Sequence, residues 1–147
     1  MNRPQNSSNS YNSWLKKEGD VPVGRVKENI AVNGKQFWTL FDTGSRNTYV
    51  INKVAKYFPR IKLDQFYDVK LGGKNHKLEE NIILKARLSD TPIATRAFVI
   101  DEIGVDEKGQ EIQVLFGALG MQEWGIELDL KREKVDLTHY PKEFIEF

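Results

Sequence analysis

Short apolar runs separated by tight-turn residues constrain the fold of this chain more than any other feature of its sequence. The clearest example is Asn33-Gly34, which lies between the runs Val26–Val32 and Lys35–Phe41. Asn-Gly is the dipeptide best suited to the positive φ angles of a type I′ turn, so the two runs are predicted to form a β-hairpin. The same alternation of apolar runs with Gly, Asn, Asp and Pro continues towards the end of the chain. The sequence therefore predicts a mainly β protein with tight connections.

The runs and turns predict about eight or nine short strands and two short helices. Four-residue turns are predicted at Gly72-Gly73-Lys74-Asn75, which joins a second hairpin, and at Ser89-Asp90-Thr91-Pro92. One helix is predicted over Lys53–Phe58, with Asn52 as its cap, and the other over Ala118–Trp124. The remaining predicted strands are Thr48–Ile51, Leu63–Leu71, His76–Leu88, Ile93–Ile100, Ile112–Phe116, Ile126–Leu130 and Val135–Leu137.

Size and composition favour one folded domain preceded by a polar segment. The chain has 147 residues, of which 39% are hydrophobic, and this is enough for a single core. Residues 1–20 are rich in Asn and Ser and are too polar to bury a face of their own. We therefore expect a flexible N-terminal tail over residues 1–20 and a single domain over residues 21–147.

The charge balance and the absence of cysteine exclude several classes of function. The formal net charge of +1, from 22 basic and 21 acidic residues, provides no field for binding nucleic acid or an anionic membrane. No run approaches the roughly 20 apolar residues of a membrane span, and the start lacks the pattern of a signal peptide. Without cysteine there are no disulfides, thiolate metal sites or cysteine nucleophiles. We expect a cytoplasmic protein without a nucleic-acid or membrane partner.

Asp42-Thr43-Gly44-Ser45, which follows the apolar run Phe37–Phe41, is the segment most informative about function. An aspartate at the end of a buried strand is held rigidly, and Gly44 lets the backbone pass close beneath the carboxylate so that amides can orient it. The Thr43 hydroxyl can lock the turn from below, and the Ser45 hydroxyl can hydrogen-bond the carboxylate from outside. The same residues also suit an ordinary Asx turn, so the alternative is a purely structural turn after a strand.

A second motif, Leu115-Phe116-Gly117, precedes the second predicted helix. Together the two motifs resemble those of the retroviral-type (retropepsin-like) aspartic proteases and their bacterial and archaeal relatives. In that family Asp-Thr-Gly follows an apolar strand, and two apolar residues and a Gly open a short helix near the end. The resemblance spans about Val23 to Leu130. It implies a closed β-barrel of the acid-protease fold, with Asp42 as the catalytic residue and a flap hairpin that presents Gly72 and Gly73 to the substrate.

The family uses two aspartates, whereas this sequence carries one copy of the motif. The nearest second match, Asp90-Thr91-Pro92, has Pro in place of the Gly that admits a close backbone. The resemblance therefore implies a homodimer in which each subunit contributes Asp42. Two adjacent carboxylates hold one proton between them, so one can activate a water while the other polarises a peptide carbonyl. The expected substrate is an extended peptide across the dimer cleft, and no metal or cofactor is implied.

Two positions depart from the pattern of the retroviral enzymes. Those enzymes usually have an acidic residue shortly after Asp-Thr-Gly and an Arg directly after the late Gly, whereas this chain has Arg46 and Ala118. The supporting ion pair that these residues form in the family is therefore not expected here. The departure keeps open a noncatalytic dimeric binding or scaffold module with the same fold. A β-barrel nucleic-acid binder is a further alternative, which the nearly neutral charge disfavours.

The other residues that could carry chemistry are interpreted as structural. Gly72-Gly73-Lys74 lacks the spacing and the following helix of a phosphate-binding loop, so it is interpreted as a hairpin tip. His76 and His139 lie far apart in sequence and have no cysteine beside them, so no metal site is expected. Trp38 and Trp124 are interpreted as packing residues.

Overall fold

The computed structural model describes residues 23–146, so the tail predicted at residues 1–20 lies outside the described part of the chain. Within this range the chain forms eleven strands and two short helices, and the predicted mainly β fold is confirmed. The helices are α1 (Asn52–Ala55) and α2 (Ala118–Glu123). The strands are β1 (Arg25–Val32), β2 (Lys35–Asp42), β3 (Thr48–Ile51), β4 (Ile61–Leu71), β5 (Lys74–Leu88), β6 (Thr91–Ile100), β7 (Gly104–Val105), β8 (Glu111–Ile112), β9 (Val114–Phe116), β10 (Glu127–Asp129) and β11 (Lys134–Asp136).

The predicted first hairpin forms as β1 and β2. Asn33 and Gly34 have φ angles of 52° and 76°, and positive φ at both central residues is what a type I′ turn requires. The two strands pair without a register shift from Val32 opposite Lys35 to Arg25 opposite Asp42. Residues directly opposite one another share a face of the sheet, so this turn brings Arg25 to Asp42.

The main sheet of the described part has the strand order β1-β2-β9-β3-β6-β5-β4. Two of its pairs are parallel, β2 with β9 and β3 with β6, and the others are antiparallel. A bridge between Ala31 and Arg87 also joins β1 to β5, so that the sheet returns on itself at this point. Strands β7 and β8 form a small separate sheet, as do β10 and β11.

The core lies inside the curved sheet and is formed by alternate residues of its strands. Phe41 and Phe116 are fully buried, and their ring centroids lie 5.2 Å apart in a tilted arrangement. Trp124 is half-buried and stacks on Tyr140, with centroids 5.7 Å apart. In the described residues neither helix is long and apolar enough to cross a membrane.

Both turns predicted to span four residues are shorter in the structure. Gly72-Gly73 alone forms the first turn, because β4 ends at Leu71 and β5 begins at Lys74. Ser89-Asp90 alone forms the second, with φ angles of 48° and 65°. In each case the two residues adopt the positive φ angles of a tight hairpin turn, so the flanking residues remain free to pair.

The first helix and one strand also differ from the prediction. Helix α1 is only Asn52–Ala55, and Asn52 is its first residue rather than its cap, which is Ile51 without a side-chain hydrogen bond. Val54 and Ala55 are fully buried, so packing holds this turn in place of a cap. The predicted strand Ile112–Phe116 is broken at Gln113, which separates β8 from β9.

Candidate active site

The two sequence motifs meet because the strands that carry them run parallel. Phe41 of β2 lies opposite Phe116 of β9 in the parallel pair. Both strands therefore end at the same edge of the sheet, and Asp42 and Gly117 follow these two partners directly. Leu115, the first residue of the late motif, is 3% exposed and belongs to the core. Residues 75 positions apart in sequence are thus brought together by one strand pairing.

The Asp42 carboxylate is buried and held by its own turn. Only 7% of the residue is exposed, and its Oδ1 atom accepts a hydrogen bond of 2.8 Å from the backbone amide of Gly44. A Cβ atom on Gly44 would lie 3.1 Å from this Oδ1 and 2.9 Å from a methyl group of Val23. A glycine here allows the close approach that orients the carboxylate.

Thr43 ties the turn to the start of β1. Its Oγ1 accepts a hydrogen bond of 2.7 Å from the backbone amide of Gly24, and its own amide donates to the Gly24 carbonyl at 3.0 Å. The turn is therefore clamped through both the backbone and the side chain of one residue. This contact fixes where the carboxylate of Asp42 points.

Gly117 lies directly beneath the Asp42 turn. A Cβ atom at this position would be 2.2 Å from the carbonyl oxygen of Asn47 and 2.8 Å from that of Ser45. The amide of Gly117 donates to the Thr48 hydroxyl at 3.1 Å, and the amide of Ala118 donates to the Ser45 carbonyl at 2.6 Å. The late motif therefore supports the first motif from below through backbone contacts that leave no room for a larger residue.

The predicted hydrogen bond from Ser45 to the carboxylate of Asp42 is wrong. The Ser45 hydroxyl donates instead to the backbone carbonyl of Asn47 at 2.9 Å. A hydroxyl has a single proton to donate, so the same group cannot also donate to Asp42. Ser45 stabilises the turn and does not hydrogen-bond the Asp42 carboxylate.

Arg25, which the sequence analysis did not identify, occupies the place expected for the Ser45 hydroxyl. Its Nε atom lies 3.1 Å from Oδ2 of Asp42, so both carboxylate oxygens accept a hydrogen bond. The Arg25 side chain is 67% exposed, whereas that of Asp42 is 10% exposed. Counting eight residues outwards from each side of the Asn33-Gly34 turn pairs residue 25 with residue 42, and this count could have found the contact.

The positions that depart from the retroviral pattern make backbone contacts across the same region. The amide of Leu119 donates to the Arg46 carbonyl at 3.1 Å, next to the bond from Ala118 to Ser45. These bonds join the start of α2 to the turn after Asp42. Within residues 23–146 this junction is therefore held by backbone groups where the retroviral enzymes are expected to use an ion pair.

The hairpin of β4 and β5 carries Gly72 and Gly73 at its tip, with φ angles of 57° and 80°. One ion pair and one hydrogen bond anchor the strand that follows the tip to the segment after β6. Lys74 Nζ lies 3.1 Å from a Glu102 carboxylate oxygen, and His76 Nδ1 lies 2.6 Å from Oδ1 of Asp101. The hairpin predicted from the sequence is present, and its role as a flap stays a prediction.

The His76–Asp101 contact is asymmetric in burial. The His76 side chain is 4% exposed, whereas that of Asp101 is 73% exposed. The hydrogen bond from His76 lowers the pKa of Asp101 below its ordinary value, and the small desolvation of the carboxylate opposes this effect. His76, interpreted from sequence as a surface or hydrogen-bonded residue, is thus a buried anchor of the β4–β5 hairpin. Across the described residues no cluster of three or more His, Cys, Asp or Glu side chains is arranged to hold a metal ion.

No protein-family model and no curated protein matches the chain. Among solved structures, the chain is similar to the retroviral protease-like domain of Ddi1 from Leishmania major, with a TM-score of 0.57 and 14% identity over 80% of this chain and 91% of that one. It is also similar to EIAV protease complexed with the inhibitor HBY-793, with a TM-score of 0.51 and 17% identity over 79% of this chain and 100% of that one. The chain therefore has a retropepsin-like, mainly β fold, as its sequence predicted.

Proposed function

We propose that this protein is an aspartic-type endopeptidase in which two copies of the chain each contribute Asp42. The observation that carries the proposal is the geometry of the Asp42 turn. A buried carboxylate accepts a hydrogen bond of 2.8 Å from the Gly44 amide, and Gly117 packs beneath the turn. The similarity of the fold to retroviral protease-like structures supports the same function.

The chemistry needs two carboxylates, because one must act as a base while the other acts as an acid. Two carboxyl groups at hydrogen-bond distance hold one proton between them, since like charges so close cannot both ionise. The ionised member takes a proton from water, and the protonated member polarises the carbonyl of the peptide bond. The water oxygen adds to the carbonyl carbon to form a tetrahedral intermediate, which collapses as the C–N bond breaks and a proton passes to the leaving amine.

A homodimer supplies the second carboxylate with the same rigid support as the first. Val23, Phe144 and Ile145 are 49%, 75% and 76% exposed within one chain, and such apolar residues near the chain ends are suited to an interface. An extended peptide would cross the dimer cleft, and the β4–β5 hairpin would close over it and bond its backbone. The Gly72-Gly73 tip brings little side-chain bulk to the peptide backbone.

The test is the Asp42→Asn variant incubated with a peptide library. The amide is nearly isosteric with the carboxylate but cannot share a proton across the pair, so cleavage should fall at least about 1,000-fold while fold and dimer persist. Asp90→Asn is the matched control, because Asp90 begins the near-match Asp90-Thr91-Pro92. Peptide cleavage by Asp42→Asn at the wild-type rate would exclude this mechanism.

The contact between Arg25 and Asp42 favours a second candidate, a noncatalytic dimeric scaffold with the same fold. A carboxylate that is permanently paired with a guanidinium serves structure rather than catalysis. The two candidates differ in binding a statine-type peptide, whose hydroxyl mimics the attacked carbonyl. An endopeptidase should bind it much more tightly than the matched peptide without the hydroxyl, whereas a scaffold should bind both alike.

A further inference from the structure

Arg25 has a defined position relative to the carboxylate on which the proposed chemistry depends. The residue lies opposite Asp42 in the β1–β2 register, and its Nε atom is 3.1 Å from Oδ2 of Asp42. The other oxygen, Oδ1, is already held by the Gly44 amide. Arg25 therefore takes the carboxylate oxygen that the turn itself leaves available.

This contact conflicts with the acid–base chemistry of the site. While Oδ2 of Asp42 accepts the hydrogen bond from Arg25, the guanidinium occupies a position that a water molecule or the carboxylate of a second copy would need in order to reach this oxygen. We propose that Arg25 is an inhibitory gate on Asp42, which must leave Oδ2 before the site can cleave a peptide. This inference rests on the proposed endopeptidase function, since a gate needs a reaction to control.

The surroundings of Arg25 allow the gate to open. Its side chain is 67% exposed and lines a cleft of about 730 Å³, so it has room to swing away from the carboxylate. Two acidic residues that line the same cleft have partners other than Arg25. Asp106 accepts a hydrogen bond of 2.9 Å from the Trp38 indole, and Glu107 forms an ion pair with Lys27 at 2.8 Å. The guanidinium end of the pair is open to solvent, and ion pairs in contact with solvent are weak, so an incoming substrate can displace Arg25 at little cost.

The test compares Arg25→Gln with wild type at enzyme concentrations where sedimentation shows both to be fully dimeric. Removal of the gate should raise kcat/KM by about 2- to 30-fold, because each of two protomers loses one exposed ion pair. A statine-type peptide should bind more tightly by a similar factor. Arg25→Lys, which keeps the positive charge, should stay nearer to wild type.

Lys27→Gln is the matched control, because it removes the same charge from the same strand and breaks an ion pair with Glu107 rather than with Asp42. It should leave kcat/KM within about twofold of wild type, as expected for one exposed pair away from the site. The carboxyl ¹³C resonance of Asp42 provides a readout that does not depend on activity. The chemical shift of this resonance should change in Arg25→Gln and remain the same in Lys27→Gln.

These outcomes distinguish failure of the gate from failure of the proposed function. If the Asp42 resonance does not move in Arg25→Gln, the contact is absent and the gate is wrong whatever the activity. If peptides are cleaved but Arg25→Gln is equally or less active than wild type, the gate is wrong and the endopeptidase stands. If no variant cleaves the peptide library or distinguishes the statine-type peptide, the endopeptidase fails and the gate fails with it.

Discussion

At the scale of single residues, the site depends on backbone atoms that approach one another more closely than side chains would permit. Gly44 brings its amide to 2.8 Å from the Asp42 carboxylate, and Gly117 lies against the carbonyls of Asn47 and Ser45. These contacts are short because neither glycine has a Cβ atom. The position of the Asp42 carboxylate is therefore set mainly by main-chain packing.

Gly117→Ala should destabilise the fold by at least about 2–3 kcal/mol, because the new methyl group would lie 2.2 Å from the Asn47 carbonyl oxygen and backbone would have to move. Gly24→Ala is the matched control. Its Cβ would meet the Leu130 side chain at 3.1 Å, and Leu130 is 49% exposed and can rotate away. Urea unfolding of the two variants measures the difference. Equal stability of both would show that the packing beneath the turn is looser than this structure has it.

Ser45→Ala should leave the pH dependence of cleavage in place, because the Ser45 hydroxyl donates to the Asn47 carbonyl and not to Asp42. The variant should lose about 0.5–1.5 kcal/mol of stability, the usual net value of one hydrogen bond. Both quantities are measured, by initial rates from pH 3 to 8 and by urea unfolding. A shift of the acid limb of the rate profile would mean that the hydroxyl reaches the carboxylate after all.

At the scale of secondary-structure elements, the β4–β5 hairpin is joined to the segment after β6 by one ion pair and one hydrogen bond near its tip. Lys74 pairs with Glu102, and His76 pairs with Asp101. A hairpin that serves as a flap must open for substrate entry and product release. The strength of these two contacts should therefore influence how readily the hairpin moves.

Asp101→Asn should weaken this anchor in a pH-dependent way. The pKa of Asp101 is lowered from its ordinary value of 3.8 by the His76 hydrogen bond, so the charged carboxylate stabilises the fold above pH 3.8. This contribution is lost as the pH falls through the lowered pKa. Wild type should therefore be more stable than Asp101→Asn at pH 6, and the difference should disappear near pH 2.

Urea unfolding between pH 2 and 6 tests the Asp101 prediction, with Asp64→Asn on the exposed strand β4 as the control. Amide exchange of residues 72–76 should also be faster in Asp101→Asn at pH 6, because the tip loses one of its two anchors. A stability difference that persists unchanged at pH 2 would show that the carboxylate charge is not its source.

At the scale of the whole molecule, the proposed site is assembled from two chains, and the apolar residues near the chain ends are suited to join them. Val23 lies beside Gly44, with one methyl group 2.9 Å from where a Cβ would stand, and Phe144 and Ile145 are exposed in the last described segment. Val21 and Phe147, two further apolar residues close to these in the sequence, lie outside the described residues. The Asp42 turn is thus close to the surface proposed for dimerisation.

Activity should fall faster than enzyme concentration on dilution, because dissociation separates the two Asp42 carboxylates. The rate per chain, plotted against total enzyme, should follow the dimer fraction measured by sedimentation. Ile145→Asp should move this curve to higher concentration, since a charge in an apolar interface is costly. Full activity at a concentration where the protein sediments as a monomer would contradict the dimer.

Much of the fold follows from chemistry that is local in the sequence. Asn-Gly and Gly-Gly favour the positive φ angles that Asn33-Gly34 and Gly72-Gly73 adopt, so the two main hairpins were predicted with nearly the observed bounds. The motifs Asp42-Thr43-Gly44 and Leu115-Phe116-Gly117 were also recognisable from the sequence, because each needs small or specific residues in consecutive positions. The order of these segments along the chain was sufficient to predict the retropepsin-like fold.

Tertiary packing determined which partners the polar side chains bind and where one predicted helix and one predicted strand end. The Ser45 hydroxyl donates to the Asn47 carbonyl. Arg25 contacts Asp42, and His76 contacts Asp101, because strand pairings and chain turns bring them together. A donor binds whichever acceptor the fold brings within about 3 Å, and sequence patterns do not encode that distance. Gln113 interrupts its strand because its amide and side chain both bond Trp38 of β2. The sequence by itself determined the hairpins and the Asp42-Thr43-Gly44 motif, whereas only the assembled sheet decided how the Asp42 carboxylate is held.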